Sequence, residues 1–180
     1  MPLTFNTYPG TVDTTIHDRV PALRFTPGTN GYGRYVTDET FIPPVQVAGW
    51  MQLRRWSGPR SPGNAQLDGL HVHLGHIGNA RNYVASMVRR DGHAKLAVEY
   101  GWSGYHTVRW QNDGPELVTD RVYLFDVRWL PDRIETTVSS EAGVWEMVGD
   151  IPPERRIPQG SVGFRLDNLV GVGGLTVRNL

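Results

Sequence analysis

Alternation along the chain sets a group of polar and aromatic residues opposite apolar runs: Trp50, Gln52, His71, His73, Glu99, Arg109, Asp126 and Arg128. A tryptophan among polar neighbours can lay its ring against the C–H face of a sugar. Glutamine, arginine and carboxylates can hydrogen-bond the hydroxyls around it. Glu99 and Asp126 are the two carboxyls of this group. Glycosidic cleavage needs such a pair flanking one bond, about 5 Å or 6–9 Å apart. His71 and His73 form a His-x-His pair, half of a zinc site that would need a further ligand. His76 stands on the opposite parity unless the strand bulges or ends at Gly75. No metal site is assigned, and the three histidines read most simply as surface residues near a loop.

These positions mean something only if strands hold them. In Val45–Leu53, Val45, Val47, Met51 and Leu53 fall on one face, and Gln46, Ala48, Trp50 and Gln52 on the other. Leu70, Val72 and Leu74 alternate with His71 and His73. Tyr83–Arg89 is apolar on both faces, as a central strand is. Asp91-Gly92 predicts a tight hairpin into Lys95–Tyr100, and Tyr105–Gln111 follows a Gly-Trp-Ser-Gly turn. Val122–Leu130 puts Tyr123, Phe125, Val127 and Trp129 on one face, with Asp126 and Arg128 on the other. Pro131-Asp132-Arg133 turns the chain into Ile134–Ser139, and Val144–Val148 follows. Ser161–Leu180 predicts two short strands joined by Asn168–Gly174 and paired with each other to close the fold. Residues 1–44, with Pro2, Pro9, Pro21, Pro27, Pro43 and Pro44, read as irregular apart from a short strand at Ala22–Phe25. No helical period runs over a useful length, and roughly ten to twelve strands are expected.

Composition sets the outer limits. With 18 basic and 18 acidic residues the net charge is zero, which argues against a nucleic-acid footprint and against electrostatic membrane docking. There is no cysteine, hence no disulfide framework and no thiolate zinc site. No apolar run approaches the roughly 20 residues that span a bilayer. The N-terminal Met-Pro-Leu-Thr-Phe-Asn has neither a basic nor an apolar leader region, so no secretory signal is expected. Lys95 is the single lysine among the 18 basic residues, a skew that points to a GC-rich genome. One domain over residues 1–180 is expected, with the irregular segment 1–44 packed on it.

Three segments carry a resemblance. Gly78–Gly92 holds an asparagine, a tyrosine, a strand and Asp-Gly. Tyr123–Ile134 reads Tyr-x-x-x-Val-x-Trp before a tight turn and Arg-Ile. Gly160–Asn168 is followed by a terminal Leu-Thr-Val-Arg strand. Together, over roughly residues 45–180, they resemble the concanavalin A-like lectin/glucanase superfamily. The resemblance implies an all-β, two-sheet antiparallel jelly-roll sandwich in which a polar concave sheet face is the usual ligand groove. It implies glycan-binding modules, hydrolases, lyases or adhesion domains without choosing among them. The Glu-x-Asp-x-x-Glu strand motif of the superfamily's best-known hydrolases is missing, since no Glu-x-Asp occurs in the sequence.

The reading therefore favours a non-catalytic carbohydrate-binding or adhesion module in a larger extracellular or phage-tail assembly. Its partners would be a polysaccharide or cell-surface glycan and other chains of the assembly, with no nucleic acid and no membrane insertion. A phage protein leaves the cell by lysis and needs no export signal. The alternatives are a glycoside hydrolase or polysaccharide lyase using Glu99 or Asp126, and a purely structural virion protein. No cofactor is assigned. Because relatives in the superfamily often hold calcium, Asp113, Asp167 and Asn168 are the oxygen ligands to examine.

Overall fold

The computed structural model describes residues 5–8, 10–17, 20–27, 32–53, 68–77, 81–90, 93–101, 105–111, 114, 117–167 and 170–180, with side chains at 35–52, 69–77, 81–85, 87, 114, 117–165, 172 and 174–180. The strands are β1 Phe5–Tyr8, β2 Gly10–His17, β3 Val20–Pro27, β4 Tyr32–Phe41, β5 Val45–Leu53, β6 Asp68–His76 and β7 Asn82–Arg90. They continue as β8 His93–Gly101, β9 Tyr105–Gln111, β10 Val122–Trp129, β11 Arg133–Ser140, β12 Gly143–Asp150, β13 Gly160–Asp167 and β14 Val170–Asn179. A single 3-10 turn, Pro153–Arg155, is the one helical element among the described residues.

The strands form two antiparallel sheets. Sheet A has the order β1-β4-β13-β6-β7-β8-β9, and sheet B the order β12-β11-β10-β5-β14-β3-β2. The expected two-sheet antiparallel jelly-roll sandwich is the observed one. Inward positions of both sheets fill one core: Tyr35, Leu70, Val72, Leu74, Tyr83 and Phe164 from sheet A meet Val47, Met51, Tyr123, Val127, Trp129 and Ile134 from sheet B. The alternation predicted for β10 holds. Tyr123, Phe125, Val127 and Trp129 are buried, while Leu124 and Arg128 are exposed. This is what a strand with one face on an apolar layer must do.

Two expectations are corrected. Residues 1–44 are not irregular, because they contribute β1 to β4, two to each sheet. Most of their prolines punctuate the strands. Pro9 lies between β1 and β2, Pro27 ends β3, and Pro43 and Pro44 precede β5. Pro21 sits inside β3 opposite Ile16, one residue beyond the stretch Ala22–Arg24 that pairs with β14. Its missing N–H therefore costs no bond to that neighbour. The last two strands do not pair with each other. β13 lies in sheet A between β4 and β6, and β14 lies in sheet B between β5 and β3. The glycines read as a link, Gly171 and Gly173, are strand residues in register with Gln52 and Trp50. Alternation gave each segment its strand character, and it carries no information about which sheet a strand joins.

The two sheets are locked near one end. Trp129 of β10 packs against Tyr83 of β7, with ring centroids 6.2 Å apart and planes tilted by 60°. The Tyr83 hydroxyl donates to the Arg155 carbonyl at 2.6 Å and accepts from the Ile157 N–H at 2.7 Å. It thereby ties the proline-rich segment 151–158 to sheet A. Gly75 and Gly160 approach so closely that a Cβ on Gly160 would sit 2.4 Å from the Gly75 carbonyl carbon. Gly75 itself has φ +62, and a Cβ there would meet Trp129 and Ile157 at 3.1 Å.

Tyr83→Phe is expected to lower unfolding free energy by about 2 kcal/mol, because it leaves a buried amide and carbonyl without their partner. Urea unfolding with an unchanged m-value is the check. Burial also raises the Tyr35 and Tyr83 hydroxyls from 10.0 to about 12. Between those values the unfolded chain has released protons that the folded chain still holds, so stability falls as pH rises above 10.0. The expected outcome is a urea midpoint that drops between about pH 9 and about pH 11, with a shallower drop in Tyr83→Phe.

Candidate functional site

The predicted residues divide between the two sheets. Trp50 and Gln52 on β5, with Asp126 and Arg128 on β10, share the outer face of sheet B. His71 and His73 lie on β6, and Glu99 and Arg109 on β8 and β9, all in sheet A. One common wall made of all of them does not exist, since parity separates inner from outer positions within a sheet and both sheets have an outer face. The Glu99–Asp126 pair is separated for the same reason. Asp126 points away from the core while Glu99 belongs to the other layer, and face-to-face sheets stand about 10 Å apart. The side chains of Glu99 and Arg109 lie outside the described residues. By backbone register Glu99 pairs with Val84 and Thr107, and Arg109 pairs with Val98. An irregularity between Val98 and Glu99 breaks the simple alternation expected along this pair.

On sheet B the register aligns rows across neighbouring strands. One row runs Gly173, Trp50, Leu124, Ser139, Val144. The next runs Thr176, Ala48, Asp126, Thr137, Glu146, and a third runs Arg178, Gln46, Arg128, Glu135, Val148. The first row is an apolar strip, with Trp50 partly exposed, Leu124 56 % exposed and Val144 64 % exposed. Trp50 is seated against Gly174 of β14. A Cβ on Gly174, whose φ is +56, would stand 3.3 Å from Trp50 Cδ1. The register shift between Gly173 and Thr176 places that glycine under the ring.

The rows below the strip are polar and mutually bonded. Gln46 donates to Asp126 and accepts from Arg178. Arg128 Nε donates to Asp126 Oδ1 at 3.2 Å, and Arg133 Nε to Glu135 Oε1 at 2.8 Å. These are solvent-facing ion pairs that contribute little to stability, but they hold the side chains in fixed orientations. Above the strip, Gln52 donates to the carbonyl of Asp120, a residue with φ 64, while its buried Oε1 has no partner. A groove of about 210 Å³ runs along the polar rows, lined by Asp126, Arg128, Glu135, Thr137, Glu146 and Val148. That is less than the roughly 300–1,000 Å³ of an enclosing small-molecule pocket. It suits the edge of a ligand lying on the surface.

Sequence reasoning named Trp50, Gln52, Asp126 and Arg128 on this face but missed Leu124, Glu135, Glu146 and Arg178. Leu124 had a usable signal, a large apolar side chain at the outward parity of a strand whose next two outward residues, Asp126 and Arg128, are charged.

The outer face of sheet A differs. His71 and His73 are only 5 % and 2 % exposed, so the surface reading of these histidines is corrected. β6 pairs with β13 through an irregularity that sets His73 opposite Gly163 and His76 opposite Ser161. The extra residue falls at Gly75, and the bulge brings His76 to the same side as His71 and His73. Among the described residues, no three His, Asp or Glu side chains converge as a metal site would require. Asp113 and Asn168 lie outside the described residues, and Asp167 is described only as a backbone position in β13.

The sequence matches no protein-family model and no curated protein. Solved structures do match. A carbohydrate-binding module, CBM66 from Bacillus subtilis, superposes with a TM-score of 0.70 at 9 % identity, over 97 % of this chain and 95 % of that one. The chain has the concanavalin A-like jelly-roll fold. Winged bean acidic lectin, solved with methyl-α-D-galactose, superposes with a TM-score of 0.66 at 8 % identity, over 96 % and 91 % of the two chains. The enzymatically active domain of bacteriophage CBA120 tailspike protein 2 superposes with a TM-score of 0.65 at 12 % identity, over 98 % of this chain but 28 % of the tailspike chain. At these identities the jelly roll has kept its path while nearly every side chain has changed, so the likeness is one of fold.

Gly174→Ala is expected to destabilise the protein by about 1 kcal/mol through its positive φ and to lift the Trp50 ring off β14. Fluorine NMR of 5-fluorotryptophan-labelled protein checks this. The Trp50 resonance should move toward its solvent-exposed position while that of buried Trp129 stays in place.

Proposed function

We propose that this protein is a non-catalytic glycan-binding module working within a larger extracellular or phage-tail assembly. The observation that carries the reading is partly exposed Trp50, seated against Gly174 beside exposed Leu124, with bonded polar rows along one side of the strip. A sugar has an apolar ring face and a rim of hydroxyls. An aromatic platform next to fixed donors and acceptors complements both at once. The shallow groove favours binding along the surface over enclosing a bond for cleavage. The hydrolase reading, for its part, loses the Glu99–Asp126 pair it relied on. The likeness of the fold to a carbohydrate-binding module and to a lectin supports the glycan reading. The likeness to a tailspike domain supports the tail setting.

On a glycan array and in pull-downs with cell-wall polysaccharides, the parent protein is expected to bind and Trp50→Ala to bind about tenfold or more weakly. A parent that binds no glycan, or a Trp50→Ala protein that binds like the parent, removes the basis for this face. Crosslinking in the native particle or envelope, followed by identification of neighbouring chains, tests the setting separately.

A further inference from the structure

Sheet B ends on β2, and the outer side of β2 has no strand beside it among the described residues. β2 pairs with β3 in unbroken register over eight residues, from Gly10 opposite Pro27 to His17 opposite Val20. Alternate N–H and C=O groups of β2 therefore turn away from β3, and such a row is a template for a further strand. Among the described residues, β3 meets β14 through Ala22, Leu23 and Arg24 alone. A two-stranded ribbon held by so short a seam gains from a third strand. Proteins guard open edges with shortness, bulges, proline or lysine. β1 has four residues, and β9 meets β8 through a register shift. β2 has no such device, and Thr11, Val12, Thr14, Thr15 and Ile16 give it a strong preference for strand.

The sequence of β2 fits its own copy. Laid antiparallel about Thr14, it sets Thr14 opposite Thr14, Val12 opposite Ile16, Asp13 opposite Thr15 and Thr11 opposite His17. Val12, Thr14 and Ile16 are in register with Phe25, Leu23 and Pro21, and Leu23 with buried Val172. These positions therefore lie on the core side of sheet B. The seam there carries two Val–Ile pairs around a Thr–Thr pair, which are stabilising cross-strand neighbours. On the outer side the two Asp13 positions lie diagonally across the axis. Each has Arg24 in register on β3 and His17 of the other copy on its second diagonal. Two carboxylates thus sit among four basic residues. At the other end of the sheet, β12 reads Gly-Val-Trp-Glu-Met-Val-Gly, and pairing it with its copy about the centre sets Glu146 opposite Glu146, a like-charge pair. We infer that β2 is a homodimerisation edge, pairing two copies of this chain about a two-fold axis at Thr14 and joining two seven-stranded sheets into one. The axis is perpendicular to the sheet, so the outer faces of both copies lie on one side. Given the glycan-binding reading of Trp50, on which this consequence alone rests, the dimer presents two sites to one surface and binds it with avidity.

The test uses the full chain without glycan, so it does not depend on the Trp50 face. Sedimentation equilibrium over a concentration series should show a monomer–dimer equilibrium. Thr15→Asp sets a carboxylate opposite Asp13 twice per dimer and should weaken association about fivefold or more. Thr15→Lys sets an ammonium there and should tighten it by a similar factor. A folding defect cannot move the two in opposite directions. The chain has no cysteine, so an introduced thiol reports on one position. Thr14→Cys should cross-link to its copy under mild oxidation, because residues opposite each other in paired strands stand about 4.5–5.5 Å apart, within disulfide reach. Val12→Cys and Ile16→Cys should each fail to cross-link alone and should cross-link when mixed. The inference is overturned if the parent stays monomeric at every concentration, or if Thr15→Asp and Thr15→Lys shift association the same way. It is also overturned if the parent dimerises but the cysteine pattern differs, because the copies would then meet elsewhere.

Discussion

The contact on which the sandwich depends is the one between Trp129 and the hollow at Gly75. Trp129 is fully buried, and the absence of a side chain at Gly75 is what admits its six-membered ring. Tyr83 closes against the indole from the same sheet as Gly75, and its hydroxyl holds the segment that carries Ile157. Gly160 presses backbone to backbone on Gly75. A side chain at either glycine would force strands apart, because interiors this dense have no slack. The accommodation also bends β6, and the bend re-aims His76. Core packing and the polarity of an outer face are thus set by the same few atoms.

The two outer faces have different characters for physical reasons. On sheet B the glycines of β14 leave the strand bare where Trp50 lies across it. The polar rows beside it bond to one another, so they have little internal demand left to satisfy. On sheet A the outward side chains His71, His73, Asn82 and Val84 are shielded from water.

Much of the fold was legible in the sequence, because a two-residue period against an apolar layer leaves an unambiguous trace. Tyr123, Phe125, Val127 and Trp129 went inward as their spacing requires, and Tyr83–Arg89 lies inside a sheet as its apolar character implies. What could not be read was which strands share a sheet. Pairing between distant segments is decided by packing of the whole chain, so His71 and Trp50 looked alike although they stand on opposite sides. The prolines of the first 44 residues obscured β1 to β4 because proline is counted against strands even when it falls between them. Bulges escaped as well. The one at Gly75 is visible in sequence only as a glycine, and its effect on His76 needs the partner strand.

The path of the chain has a consequence for how it comes to be folded. β13 is the strand that joins β4 to β6, and β14 is the strand that joins β3 to β5. Each sheet therefore stays in two pieces until the last strand segments arrive to bridge them. A ribosome releasing this chain presents β3, β4, β5 and β6 with open edges for most of synthesis. Such edges are templates for wrong partners, and contacts between remote parts of a chain form slowly. The ten residues of β14 act as the keystone that turns two half-sheets into one.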